Sequence, residues 1–291
     1  MYLFSVIVPH YNSATQLKRL IDSIPVDKSV QLIVVDDKST ENVSEVERLV
    51  CDRDGIFLHN TTSQKGAGTC RNIGLSHAVG KWLIFADADD YFLDGAFGTL
   101  REYADSPADI VYFPPTSRYL NTDIIAKRHI PYEKLVRQYA ENPSDENEIL
   151  LRYKFMSPWS KIIRNQLVQE KQIAFDEVPA SNDVMFSMIT AYNAKSIQSA
   201  LETIYCITFS ENTLTTQKNE EKYWARVEVF VRRYQFMLDH IDVKKYRKVL
   251  PRGLFTIGTA IRQKYSIGFI CKIYIYLRKH HVAMFYRSLA K

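Results

Sequence analysis

The sequence predicts an α/β protein: a mainly parallel sheet flanked by helices, with a helical extension at the carboxyl end. Two observations carry this. Short Val- and Ile-rich runs alternate with helix-like stretches through the first hundred residues, and turn or cap residues separate them. The pattern then changes, and from about Lys218 onward every stretch reads as helical. The chain has 291 residues, 46% hydrophobic and 24% charged, enough for one large domain or for a domain with a substantial appendix.

The elements follow in order. "LFSVIVP" reads as a buried strand, and Ser13 as the N-cap of a helix reaching about Ser23. "VQLIVVDD" is a second strand, and "TENVSEVERLV" a helix opened by Thr40 or Asn42. "GIFLHN" is a short strand, "GAGTCRNIGLSHAVG" a helix ending at Gly80, and "KWLIFAD" a fourth strand. "DGAFGTLREYA" and "ADIVYF" supply another helix and strand, closed by Pro114 and Pro115. "NTDIIAKRHI" is read as one more strand, and "PYEKLVRQYAEN" and "SDENEILLRYKF" as helices. "PWSKIIRNQLV" and "SNDVMFSMITAYN" are short helices around an acid-rich loop, and "LETIYCITFS" is a late strand. "EEKYWARVEVFVRRYQFMLDHI" is a long amphipathic helix.

Charge is distributed unevenly. The net charge is +5, yet residues 241–291 hold twelve Lys/Arg against Asp242 alone, so the first 240 residues are acidic on balance. A basic, aromatic-rich tail on an acidic body points to an anionic surface as a partner and offers no nucleic-acid groove in the body. Cys51, Cys70, Cys206 and Cys271 are scattered without paired spacing, which speaks against a disulfide framework or a structural zinc and for a reducing compartment. The amino terminus reads as a first core strand rather than a signal peptide, and no apolar run is long enough to span a membrane.

Chemistry concentrates in "KWLIFADADDYF". Carboxyl ends of parallel strands are where such sheets bind ligands. In an extended segment Asp87 and Asp89 project to one side, with small Ala88 between them. Two carboxylates so close repel unless protonated or bridged by a cation, so a hard divalent ion, Mn2+ or Mg2+, suits them. The plain alternative is a polar turn capping the next helix. "GAGTCRN" is no dinucleotide fingerprint, because Arg71 stands where the third Gly would be. Gly66 and Gly68 instead suit close backbone approach to a nucleotide at a helix start.

Taken in order, "FSVIVPHYN", "LIVVDDKST", "KGAGTCRNIGLSHAVGKWLIFADADDYF", "SPWSKIIRNQLV" and "IAFDEVPASNDVMF" resemble the family 2 glycosyltransferases, the inverting group with a GT-A fold. The resemblance covers roughly residues 5–209. It implies transfer of a sugar from a nucleotide diphosphate, a UDP-sugar first of all, to a hydroxyl of a glycan or lipid-linked acceptor in bacterial surface-polysaccharide synthesis. It implies a nucleotide-sugar-binding half at 1–115, an acceptor-binding half at 116–215 and a basic helical region at 216–291. Pro9 and Tyr11 would shape the first strand-helix turn against the base, and Asp36, or its neighbour Asp37, would bond the uracil or ribose. Arg71 would help hold the nucleotide, Asp87 and Ala88 would face the ribose, and Asp89 with Asp87 would hold the metal. The family's Glu-Asp pair reads Asn182-Asp183 here, so Asp183 is the expected catalytic base, with Asp176 and Glu177 as fallbacks. Trp159 and Lys161 match a segment near the acceptor and diphosphate, suited to stacking on a sugar and to holding phosphate. Expected alongside are a cytoplasmic location, peripheral attachment to the inner face of the membrane through residues 241–291, and a homo-oligomer. The alternatives are a sugar-phosphate nucleotidyltransferase or a non-catalytic protein binding membranes or anions through its tail.

Overall fold

Seven strands form the central sheet of the computed structural model, which describes residues 2–209, 218–242, 245–247 and 249–285. β1 (Phe4–His10), β2 (Val30–Asp36), β3 (Ile56–His59) and β4 (Trp82–Phe85) lie parallel in the order β3-β2-β1-β4. Their apolar runs match strands covered on both faces, as a parallel sheet requires. α1 (Ala14–Asp22), α2 (Val43–Cys51) and α3 (Ala67–His77) carry the chain from the end of one strand to the start of the next. α3 stops at His77, short of Gly80, because 78–80 lies flat on β1: a Cβ at Gly80 would meet the Phe4 and Ser5 backbone at 2.6 Å.

The chain then runs through β5 (Tyr91–Phe92), α4 (Ala96–Glu102), β6 (Ile110–Tyr112), β7 (Thr116–Tyr119), α5 (Ile130–Glu141) and α6 (Asp145–Lys154). β8 (Lys161–Arg164), α7 (Asn165–Glu170), α8 (Val184–Asn193), β9 (Ile197–Ser199) and β10 (Tyr205–Phe209) follow. Two expectations are corrected. "PWSKIIRNQLV" is not one helix, since Ile162 and Ile163 enter the sheet as β8, antiparallel to both β4 and β6. β-branched side chains fill that buried central slot better than they pack in a helix. "NTDIIAKRHI" is not a strand either. Strand pairing occurs upstream in β7, Asn121 turns the chain with φ +57°, and Ile125 makes only a single bridge to Arg118. β5, β10 and β7 form a separate three-stranded sheet.

After residues 210–217, outside the described set together with the 215/216 boundary, come α9 (Glu220–His240), α10 (Gly253–Arg262) and α11 (Ile267–Lys279). The side chains of Asn219 and Ser266 accept backbone N–H bonds at the starts of α9 and α11. Val227, Val231 and Met237 of α9 close a second core with Ile273 and Leu277 of α11, and Tyr153 and Met188 of the body join it. The helical extension thus packs on the α/β body. No helix among the described residues is long and apolar enough to cross a membrane.

Candidate active site

The parallel register lines up the strand ends: His10 pairs with Asp36, and Asp87 follows just past β4. Above these ends lies a cleft of about 870 Å³. Of the residues singled out in the sequence, Pro9, Tyr11, Asp37, Gly66, Arg71, Asp87, Ala88 and Asp89 line it. Asp36, Trp159, Lys161 and Asp183 do not.

Asp87, Asp89 and Asp90 bring carboxylate oxygens within 4.8 Å of one another. They are not equivalent. Asp90 is buried and spent on structure, accepting from the Thr208 amide at 2.7 Å and from the Tyr205 hydroxyl at 2.9 Å. The same Tyr205 oxygen accepts the Asp87 amide N–H at 3.0 Å, so β10 fixes the backbone of the acidic turn. Asp87 receives Arg71 Nη2 at 2.5 Å. Asp89 keeps its carboxylate for the cleft, while its carbonyl accepts from Arg19. Desolvation first, and Asp87 second, push the Asp89 carboxyl up to about 6, with Arg128 and Arg19 opposing. A hard-oxygen pair of this kind, strained by its own charge, fits a divalent cation. With Asp90 committed elsewhere, Asp87 and Asp89 are the pair that could hold it. The simple capping role for this turn fails at Asp89, whose helix neighbour α4 begins only at Ala96.

On the nucleotide side, Asp36 and Asp37 divide. Asp36 is turned inward, bonded to His10 Nδ1 at 3.1 Å and to the Ser39 amide at 3.0 Å, so His10 stands between it and the cleft. Burial holds the His10 imidazole below its usual range, with Asp36 opposing. Asp37 faces the cleft, oriented by Asn60 Nδ2 and by the Gly66 amide, each at 2.8 Å. Gly66 is at φ +131°, a conformation open to glycine, and starts α3. Tyr11 lies under the Lys65 ammonium, 3.7 Å from the ring centroid. Gly68 has a different role from the expected one: a Cβ there would meet the Asp176 carbonyl oxygen at 2.1 Å, so the 176–182 loop packs where a side chain would stand.

That loop forms the opposite wall. Asn182 lines the cleft and accepts from Arg71 Nη1 at 2.8 Å. Asp183, next in the chain, begins α8 without capping it through its side chain. Desolvation, aided by Asp87, raises the Asp183 carboxyl above the usual range, while Arg71 and Lys161 oppose. Lys161 is 2% exposed and lies beneath the wall, with Nζ near the Phe155 carbonyl and Ser187 Oγ at 3.4 and 3.3 Å. Burial pushes its ammonium down to about 7, with Asp183 opposing. Trp159, also 2% exposed, stacks on Tyr205 at 6.0 Å and edges against Tyr132 and Phe155. Direct contact of Trp159 with a sugar and of Lys161 with phosphate is therefore corrected: both build the floor under the site. The fallback bases are likewise engaged, Asp176 by a two-pronged pair with Arg232 of α9 at 2.9 and 2.7 Å, and Glu177 by Asn72.

Sequence reasoning missed the cations at the rim. Arg19 joins the Asp89 carbonyl and Thr208 Oγ1, while Lys65, Arg128 and Lys222 line the cleft from three other elements. No local pattern marks Arg128 and Lys222, which reach the cleft from segments far along the chain from its strand ends, and Lys65 sits unmarked just before Gly66.

The family description that matches is glycosyl transferase family 2, over residues 5–170, and the chain belongs to that family. The poly(ribitol-phosphate) β-N-acetylglucosaminyltransferase TarS of Staphylococcus aureus is 26% identical over 203 residues, 68% of this chain and 34% of TarS. Glycosyltransferase GlyG of Streptococcus pneumoniae is 26% identical over 196 residues, 63% of this chain and 62% of GlyG. A glycosyltransferase of Rickettsia felis matches at 32% over 90 residues, 15% of its own length, so the chain spans only part of several relatives. Among solved structures, S. aureus TarS 1–349 with UDP-GlcNAc superposes with TM-score 0.67 at 23% identity, covering 85% of this chain and 70% of that one. The mannosyltransferase PcManGT of Pyrobaculum calidifontis, with GDP-Man and Mn2+, gives TM-score 0.56 at 15% identity, covering 98% and 82%. These structural likenesses establish the GT-A fold.

Two outcomes follow from the site geometry. Arg232→Gln frees the 176–182 loop, and turnover should fall on the order of 10- to 100-fold while donor affinity holds; steady-state kinetics beside calorimetry separates the two. For Asp89, the folded protein favours the neutral form, so in metal-free protein its cost is absent below about 3.8, grows as pH rises and is complete above about 6. Asp89→Asn should therefore stabilise the metal-free protein at pH 7.5 by on the order of 2 kcal/mol, and not at pH 3.5, in thermal melts.

Proposed function

We propose that this glycosyltransferase moves a sugar from a UDP-sugar to a hydroxyl of a glycan or lipid-linked acceptor, with inversion and with help from Mn2+ or Mg2+, in bacterial surface-polysaccharide synthesis. The observation that carries the reading is the pairing of Asp87 and Asp89 with Asp37 along one cleft, an acidic pair at one position and Asp37 with Tyr11 at the other. UDP-GlcNAc and UDP bound to TarS support the uridine nucleotide. Family membership sets the nucleotidyltransferase alternative aside. The three parts of the chain, 1–115, 116–215 and 216–291, then serve the donor, the acceptor and attachment.

In this reading Asp37 takes the place first assigned to Asp36 and bonds the uracil or ribose, with Pro9, Tyr11, Gly66 and Ala88 shaping the pocket. Asp87 and Asp89 hold the cation, which when bound supplies charge neutralisation for the departing diphosphate. Arg71 holds Asp87 in place and adds positive charge beside the leaving group. Asp183 accepts the acceptor hydroxyl's proton as its oxygen bonds to the anomeric carbon, and the bond from that carbon to the diphosphate oxygen breaks, releasing UDP. A carboxyl raised by burial suits that proton transfer, and Lys161 below limits the rise.

Donor hydrolysis and calorimetry across UDP-, GDP- and dTDP-sugars test the proposal. UDP-sugars should bind with Mn2+ or Mg2+ and not with EDTA; preference for another nucleotide, or indifference to EDTA, counts against it. Asp183→Asn should keep donor binding within about twofold and lower kcat by 10²- to 10⁴-fold, roughly the worth of a general base. Turnover persisting near wild type would place the base elsewhere.

A further inference from the structure

The outer faces of α10 and α11 carry a feature the transfer chemistry does not use. Both helices bury one face toward α9 through Ala260, Phe269, Ile273 and Leu277. The faces turned away should be polar in a helix that ends at water. They are not. Leu254, Phe255 and Ile261 of α10 and Ile267, Tyr274 and Ile275 of α11 are exposed, Phe255 at 69% and Ile267 at 81%. On α11, Ile267, Tyr274 and Ile275 recur at helical spacing, so they form one stripe.

The charged residues of the segment that carries these side chains have one sign. From residue 243 to 291 the chain contains no Asp or Glu, while Arg262, Lys264, Arg278 and Lys279 stand exposed beside the apolar positions. The first 240 residues are net acidic, so the basic character belongs to this face rather than to the molecule. Exposed aliphatic and aromatic groups on helices whose own charged residues are all basic match the interface of an anionic bilayer, which takes apolar groups into the acyl boundary and pairs cations with headgroups. A like-charged copy of the same face would repel it.

We propose that the outer faces of α10 and α11 dock this protein onto an anionic lipid surface, with Leu254, Phe255, Ile267 and Ile275 entering the acyl boundary and Arg262, Lys264, Arg278 and Lys279 meeting headgroups. α9 joins this face to the active site. Its Lys222 lines the cleft and its Arg232 holds the 176–182 loop.

Vesicle flotation with the full chain tests this, using phosphatidylcholine alone and phosphatidylcholine with phosphatidylglycerol. The protein should float with the anionic vesicles, not with the neutral ones, and float less as salt rises. Ile267→Asn with Ile275→Asn should abolish flotation while circular dichroism and metal-dependent donor binding stay unchanged. Arg278→Gln and Lys279→Gln should each lower the partition coefficient about fivefold. Donor binding in the same samples reads the transferase proposal separately, so either can fail alone. Absence of flotation with anionic vesicles overturns the docking proposal. So does flotation that survives the double Asn change, or concentration-dependent self-association in sedimentation that the same change abolishes, which would assign the face to a second copy.

Discussion

The Arg71 guanidinium is the constraint on which the site depends. It is 5% exposed, and one of its nitrogens holds Asp87 at the end of β4 while another holds Asn182 at the far wall. A buried cation must be paired to be tolerated: losing Asp87 would leave the guanidinium charge uncompensated, and losing Asn182 would leave one of its N–H groups without an acceptor. The two walls of the cleft are therefore set by one side chain on α3. The position of α3 is set in turn by contacts that leave no room for a side chain: Gly74 against Ile7 of β1 and Gly68 against the Asp176 carbonyl. Widening either contact moves Arg71 and, with it, the distance between the acidic turn and the acceptor side.

Around Arg71 the carboxylates are graded by what they touch. Asp90 and Asp36 are saturated by hydrogen bonds and hold strand ends in register. Asp37 is oriented but still open to the cleft, and the Asp89 carboxyl, also at the cleft, is pushed up by burial and by Asp87. Concentrating negative charge here destabilises the metal-free protein, and a bound cation would offset that cost. This is how a fold stores affinity for a charged ligand without adding contacts elsewhere.

The parallel half of the fold was legible because its strands are apolar runs that end in polar residues, a pattern only a covered sheet explains. The acidic turn was legible for the same reason, as Asp87 and Asp89 follow such a run directly. β8 was not, because Lys161-Ile-Ile-Arg abuts a helix-forming stretch, and whether two isoleucines enter a sheet depends on a slot between β4 and β6 made by distant residues. The choice between Asp36 and Asp37 could not be made locally, since His10 across the ladder decides which carboxylate faces the cleft. Trp159 resembles a sugar platform in sequence, but Tyr132, Phe155 and Tyr205 enclose it. The Arg232–Asp176 pair joins residues 56 positions apart and has no local signature.

Of the C-terminal helices, α9 is part of the cleft's construction. α9 closes the second core, supplies Lys222 to the cleft and clamps the loop before Asp183. A crystal structure of the protein with UDP and Mn2+ tests the central claim most directly. The account predicts density for the cation on the Asp89 and Asp87 carboxylates and the uracil or ribose against Asp37 and Tyr11, with Asp36 still bonded to His10. Nucleotide bound away from the strand ends, or a cation touching neither Asp87 nor Asp89, would contradict it.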